Sequence, residues 1–279
     1  MLSRLCSLAL CSLALVPVAV PAHAGDMSSW SAPEGTAARL IAGGTQGEAL
    51  LGGVEIRLPP GLKTYWRYPG DSGVPPHFDW SGSQNVEAVE VLWPAPARFD
   101  DGGSYSIGYK HDVVLPLRIT PKDRAQPVEL KLNLDFAVCG KICQPANAVL
   151  DLALPPGGAG TPSAALAQAL ARVPRAAPLG EKGEPGIATA KLERSAETPA
   201  IRIIADVGNA ATADLFVEGP NEDWALPLPV RETGPDGRTV FVLPVDGVPK
   251  GADIATAKLR FTLVDGDRAI QVDAPLSAH

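Results

Sequence analysis

At 279 residues the chain is long enough for two domains with cores of their own, and 24 Lys and Arg against 31 Asp and Glu leave a formal charge of -7. That acidic balance argues against nucleic acid as a partner. With 28 Gly and 28 Pro among short alternating segments, the chain reads as all-β.

Met1 to Ala24 carries Arg4, an apolar run from Leu5 to Leu15 and the small-residue site Ala22-His23-Ala24. This is the layout of a secretory signal peptide cleaved before Gly25. Cys6 and Cys11 leave with it, and Leu10 is too large to precede a lipidated cysteine. No later segment approaches the roughly 18 continuous apolar residues of a membrane helix, so the exported product is expected to be soluble. Export places the two remaining cysteines, Cys139 and Cys143, in an oxidising compartment.

A first β domain is expected over residues 25–154, with strands at Leu51 to Leu58, Asn85 to Leu92, Asp112 to Thr120, Val128 to Val138 and Ala148 to Leu154. Five such strands suggest a sandwich. Within it, Tyr65-Trp66-Arg67-Tyr68 concentrates aromatics in a chain that is only 5% aromatic, and Phe99-Asp100-Asp101-Gly102-Gly103-Ser104-Tyr105 is an acidic loop with an aromatic at each end. Either stretch can serve a site or plug a sandwich edge. Pro155 to Gly186 reads as a linker, in which Ser163 to Val173 forms one short helix that opens on a capping serine and stops at Pro174. Residues 187–279 resume the alternation, at Ala200 to Val207, Ala213 to Val217, Thr239 to Val245, Lys258 to Val264 and Ala269 to Ala274, with Gly234-Pro235-Asp236-Gly237 among the turns. A second, smaller β-sandwich is expected there, without visible chemistry of its own.

The chemistry concentrates at Cys139-Gly140-Lys141-Ile142-Cys143-Gln144-Pro145. Val128, Leu130, Leu132, Leu134, Phe136 and Val138 alternate with Glu129, Lys131, Asn133 and Asp135, and Ala148, Leu150, Leu152 and Leu154 alternate again. The cysteines therefore flank the turn of a hairpin, with both sulfurs at its tip. Gly140 and Pro145 disfavour a helix that would place them on one face. A disulfide asks for Cα atoms about 4.4 to 6.8 Å apart, within reach of a tight turn. So small a ring restricts few unfolded conformations, at the low end of the roughly 2 to 4 kcal/mol usual for disulfides, which favours redox work. A purely structural bridge and a thiolate metal site remain the rival readings. Tight zinc or copper sites want three or four ligands, and His77, His111 and His279 are scattered. No metal or organic cofactor is expected.

The run Cys139-Gly-Lys-Ile-Cys143-Gln-Pro145, set between two alternating strands of an exported β domain, resembles the N-terminal periplasmic domain of the DsbD thiol:disulfide interchange family and its ScsB-like relatives. The resemblance covers roughly Trp30 to Leu154. It implies an immunoglobulin-like sandwich with a redox pair near one end, periplasmic location, and exchange of reducing equivalents with thioredoxin-like proteins and a membrane electron donor. By the family's pattern Cys143 enters the mixed disulfide and Cys139 resolves it. Pro145 follows the second cysteine after one residue, as in the family. Tyr65 and Tyr68 fall on the family's aromatic strand. Phe99, Asp100 and Asp101 fall in its cap loop, which shields the disulfide and must move for exchange. The cysteine spacing is shorter here, with three intervening residues. The family's membrane-spanning and thioredoxin-like domains have no expected counterpart in this sequence.

Overall fold

The computed structural model describes residues 26–158, 160–194, 199–234 and 236–277. The expected signal peptide with its cleavage site before Gly25, Cys6 and Cys11, and also Pro235 and His279, lie outside the described residues.

The first half of the chain forms ten strands: β1 (Ala37–Gln46), β2 (Ala49–Arg57), β3 (Lys63–Gly70), β4 (His77–Asp79), β5 (Val86–Val91), β6 (Ala97–Asp100), β7 (Tyr105–Tyr109), β8 (Val113–Pro121), β9 (Val128–Cys139) and β10 (Cys143–Leu154). They pair into one sheet of order β1-β2-β8-β5 and another of order β10-β9-β3-β7-β6, with β4 also on β9. The sheets pack face to face over Leu40, Val54, Ile56, Leu115, Leu117, Leu130, Leu132 and Leu134, among others. Along β9 the alternation does what period two requires: Leu130, Leu132 and Leu134 enter this core while Lys131, Asn133 and Asp135 face water. Each of the five expected strands of this half is present within a few residues at its ends, except that β10 starts at Cys143 rather than Ala148. Gln144, Pro145 and Asn147 carry no apolar signal; the ladder from β9 holds them in the strand.

α1 (Ala164–Ala171) follows, with the Ser163 hydroxyl accepting from the Leu166 amide at 3.2 Å as its N-cap. Leu166 is fully buried against Ile41 and Val114 on the outer face of the first sheet. Gly43 and Gly53 leave room for it, because a side chain at either would meet Leu166. This explains why β1 escapes a search for alternation: helix on one side and sandwich core on the other leave Ala37 to Gly44 almost wholly buried.

The second half contains β11 (Arg175–Ala176), β12 (Gly186–Glu193), β13 (Ala200–Asp206), β14 (Asp214–Glu218), β15 (Val230–Thr233), β16 (Thr239–Pro244), β17 (Leu259–Asp265) and β18 (Arg268–Ala274). Sheets of order β11-β18-β17-β14 and β12-β13-β16-β15 enclose a separate core that includes Ile201, Ile203, Leu215, Phe241, Phe261, Leu263 and Val272. The stretch read as a linker is thus divided: α1 covers the first sandwich, while Arg175 and Ala176 pair in parallel with Ile270 and Gln271 of the second.

The two sandwiches meet along β3. The ring centroids of Trp66 and Phe216 lie 5.7 Å apart, and Arg67 Nε donates to both oxygens of the buried Glu218 at 2.9 and 3.0 Å. The Tyr68 hydroxyl donates to the Leu226 carbonyl at 2.6 Å. Among the described residues no helix is long and apolar enough to cross a membrane.

Candidate functional site

The β9–β10 hairpin closes with Cys139 and Cys143 directly opposite each other, their Cα atoms 4.1 Å apart, and the two are joined by a disulfide. From Phe136 onward β9 is buried on both faces. Phe136 and Val138 continue into the sandwich core, whereas Ala137 and Cys139 lie on the outer face, where Tyr65 of β3 covers them. This leaves the two sulfurs in unlike surroundings. Cys139 is 2% exposed. Cys143 is exposed, because β10 is the last strand of its sheet, and Ile142 beside it is 75% exposed.

The Tyr65 hydroxyl donates to Cys139 Sγ at 2.7 Å and lies 3.4 Å from Cys143 Sγ. Burial raises the Tyr65 pKa above its ordinary 10.0, and the Asp101 carboxylate raises it further, so at neutral pH the phenol keeps its proton and remains a donor. Two residues before it on β3, Lys63 pairs in register with Cys139. Lys63 is only 8% exposed. Its ammonium bonds the Asp101 carboxylate and donates to Ser106 Oγ at 2.7 Å. Burial pushes the Asp101 pKa up, but hydrogen bonds from Lys63, Ser106 and Ser72 together with the Lys63 charge outweigh it and hold the carboxyl below 3.8.

The residues singled out from the sequence are therefore dispersed. Tyr65 touches the disulfide, and Asp101 lies one ammonium away from its neighbourhood. Phe99, 9% exposed on β6, has Lys63 Nζ 5.6 Å and Lys110 Nζ 4.4 Å from its ring centroid. Asp100 turns back on its own loop and accepts from the Gly102 amide at 2.8 Å. Tyr68 does not surround the disulfide: its hydroxyl is directed to the second sandwich, where burial first, and then the charges of Glu218 and Asp71, raise its pKa to about 12. Pro145 stands exposed on β10 opposite Ala137. Lys63 and Ser106 were not identifiable from the sequence, since a lone lysine before an aromatic run carries no signal. The apolar stretch on both faces at Phe136 to Cys139 was the legible cue that something covers the end of β9. Among the described residues no three His, Cys, Asp or Glu side chains group as metal ligands would.

No curated protein matches the chain. Residues 172–279 match the sequence model of a domain of unknown function, DUF8393. The fold resembles the crystal structure of the N-terminal periplasmic domain of ScsB from Proteus mirabilis, with a TM-score of 0.69 and 23% sequence identity over 91% of this chain and 99% of that one. The likeness therefore spans both sandwiches and agrees with immunoglobulin-like architecture. Residues 32–155 match the sequence model for the N-terminal part of the thiol:disulfide interchange protein DsbD. With the Cys139–Cys143 disulfide at the end of its sheet, this segment is similar to the N-terminal domain of DsbD-type thiol:disulfide interchange proteins.

Proposed function

We propose that the protein is a periplasmic thiol-disulfide exchange protein that relays reducing equivalents to other exported proteins through Cys139 and Cys143. The observation that carries this reading is the asymmetry of the pair: one sulfur is exposed at a hairpin tip, and the other is buried beneath a phenol that donates to it. The match of residues 32–155 to the sequence model for the N-terminal part of DsbD supports it.

Exchange needs an attacking thiolate in line with the S–S bond, and access decides which sulfur is attacked. A donor thiolate reaches Cys143 Sγ. The Cys139–Cys143 bond breaks, its electron pair stays on Cys139, and Tyr65 O–H is already placed to donate to the sulfur that becomes negative. The donor's second thiolate then attacks its own sulfur in the mixed disulfide, leaving the pair reduced by two electrons and the donor oxidised. Delivery reverses the roles: Cys143 thiolate attacks an oxidised partner, Cys139 attacks Cys143, the partner leaves as a dithiol and the bridge re-forms. No step uses a metal or an organic cofactor.

Cys139→Ser should therefore accumulate mixed disulfides through Cys143 when incubated with oxidised periplasmic proteins, and Cys143→Ser should not. Equal trapping by both variants, or a wild-type disulfide that no reduced thioredoxin-like protein opens, would refute the relay.

A further inference from the structure

The hairpin that carries Phe99 and Asp101 is held from outside its own sheet. β6 is an edge strand of four residues bonded only to β7, and the loop beyond it runs through Gly102 and Gly103, both at positive φ. A strand with so few ladder bonds opens locally at low free energy. The second sandwich meets it. Arg98 Nη2 and Nε donate to the two oxygens of Asp214 at 2.6 and 3.0 Å, Nη1 donates to the Pro229 carbonyl at 3.2 Å, and Nη2 also reaches the Leu215 carbonyl at 3.4 Å. Both side chains are largely buried. A forked guanidinium–carboxylate pair withdrawn from water is among the stronger polar contacts and fixes orientation as well as distance.

From Arg98 the backbone of β6 and the contacts beyond it lead toward the sulfurs. Three residues on, Asp101 holds the Lys63 ammonium, Lys63 stands in register with Cys139, and the Asp101 charge acts on the phenol that donates to Cys139. The same division occurs on β3, where Lys63 and Tyr65 serve the disulfide while Trp66, Arg67 and Tyr68 serve the second sandwich.

We propose that the C-terminal sandwich sets how readily the Cys139–Cys143 pair opens, by bracing β6 through Asp214 and Arg98, so that Arg98 is a positioning residue for the redox site. The inference rests on the exchange reading above and gives the second domain a part in it. With the brace cut, β6 keeps only its short pairing to β7, and Asp101 separates from Lys63 more often. The Lys63 charge, carried on the strand that pairs with Cys139, is then uncompensated and favours the thiolate. The disulfide opens faster, and the dithiol gains at equilibrium.

The test uses the full chain and dithiothreitol, which needs no protein partner. One of its thiolates attacks Cys143 Sγ and Cys139 leaves. Its second thiolate then displaces Cys143 and closes the oxidised ring, so two electrons pass from reagent to protein. The reduction rate, the reduced fraction in a fixed dithiothreitol redox buffer and the melting curve are measured for wild type, Arg98→Ala, Asp214→Asn, the double variant and Arg202→Ala. Arg202 pairs with Glu193 and Glu232 inside the second sandwich and serves as control. Both single variants should speed reduction by about tenfold, the factor that roughly 1.4 kcal/mol of lost hold represents, and shift the equilibrium toward dithiol. The double variant should add nothing, as for two ends of one contact, and Arg202→Ala should match wild type. Unchanged rates in folded single variants, additive effects, or equal acceleration by Arg202→Ala would overturn the proposal. If Arg98→Ala does not fold, the near-isosteric Asp214→Asn decides alone. If thioredoxin-like donors fail to reduce the wild type while these differences persist, the relay is refuted and the brace stands.

Discussion

Replacing Tyr65 by Phe removes one hydroxyl and leaves the ring that covers Ala137 and Cys139. In the disulfide that hydroxyl donates to Cys139 Sγ at 2.7 Å, but a disulfide sulfur is a weak acceptor. As the S–S bond breaks the sulfur gains charge, and the same bond becomes one to an anion. Hydrogen bonds to charged groups contribute about 1.5 to 3 kcal/mol net, against about 0.5 to 1.5 for neutral ones. Only the part gained in the transition state affects the rate. A differential of about 1 to 2 kcal/mol corresponds to roughly 5- to 30-fold slower reduction. Stopped-flow reduction by dithiothreitol measures this directly. Because the Tyr65 pKa lies above 10.0, wild type keeps its donor throughout about pH 7 to 9, and the ratio of the two rates should stay constant over that range. A Phe variant that reacts as fast as wild type, or faster, would show that the ring only covers the sulfur and that the hydroxyl assists no leaving group.

Asp101→Asn tests the charge beneath the hairpin. The folded carboxyl titrates below its unfolded value of 3.8, so its contribution to stability is present above that value and is lost as pH falls through the folded pKa. The denaturation free-energy difference between wild type and Asp101→Asn should be constant near neutrality and shrink below about pH 4; a gap that widens in acid contradicts the Lys63 pairing. Phe99→Ala should lower stability by about 3 kcal/mol or more, the cost usual for a buried aromatic, since the ring is 9% exposed. Faster oxidation of the reduced pair with an unchanged melting curve would instead favour a mobile lid.

The fold was legible where one face of a strand is wet. β9, β13 and β16 announce themselves because Leu130 and Leu132, Ile201 and Ile203, or Phe241 and Leu243 meet a core while the residue between them does not. β1 was not legible, because α1 and the sandwich bury it from both sides. β6 and β7 are short and owe their place to pairing and to Arg98, a contact 116 residues away in sequence that no local pattern encodes. The cysteine hairpin was legible as a turn between two alternating runs, but its register was not, because Gln144, Pro145 and Asn147 carry no apolar signal and join the ladder only through β9. Tyr65 and Tyr68 were not distinguishable: three residues apart on one strand, they face the disulfide and the second sandwich respectively.

A pair that is opened and closed repeatedly must not hold up the fold that presents it. The Cys139–Cys143 bridge joins residues only four apart, so on the chain-entropy account it contributes about 2 kcal/mol. The strands it joins are held independently by twelve register pairs running from Cys139↔Cys143 to Val128↔Leu154. Leu130, Leu132, Leu150 and Leu152 bury their side chains in the sandwich whatever the state of the sulfurs. Reduction therefore relaxes the end of a hairpin whose body is fixed by packing. The end is also where β10, as an edge strand, leaves Cys143 accessible while β3 covers Cys139. Placed mid-ladder, the same two residues would face a neighbouring strand or the core, and exchange would require opening the sheet. At the tip, small stabilisation, access to one sulfur and a donor on the other follow from a single feature, the register that sets Cys139 opposite Cys143 at the last pair of the ladder.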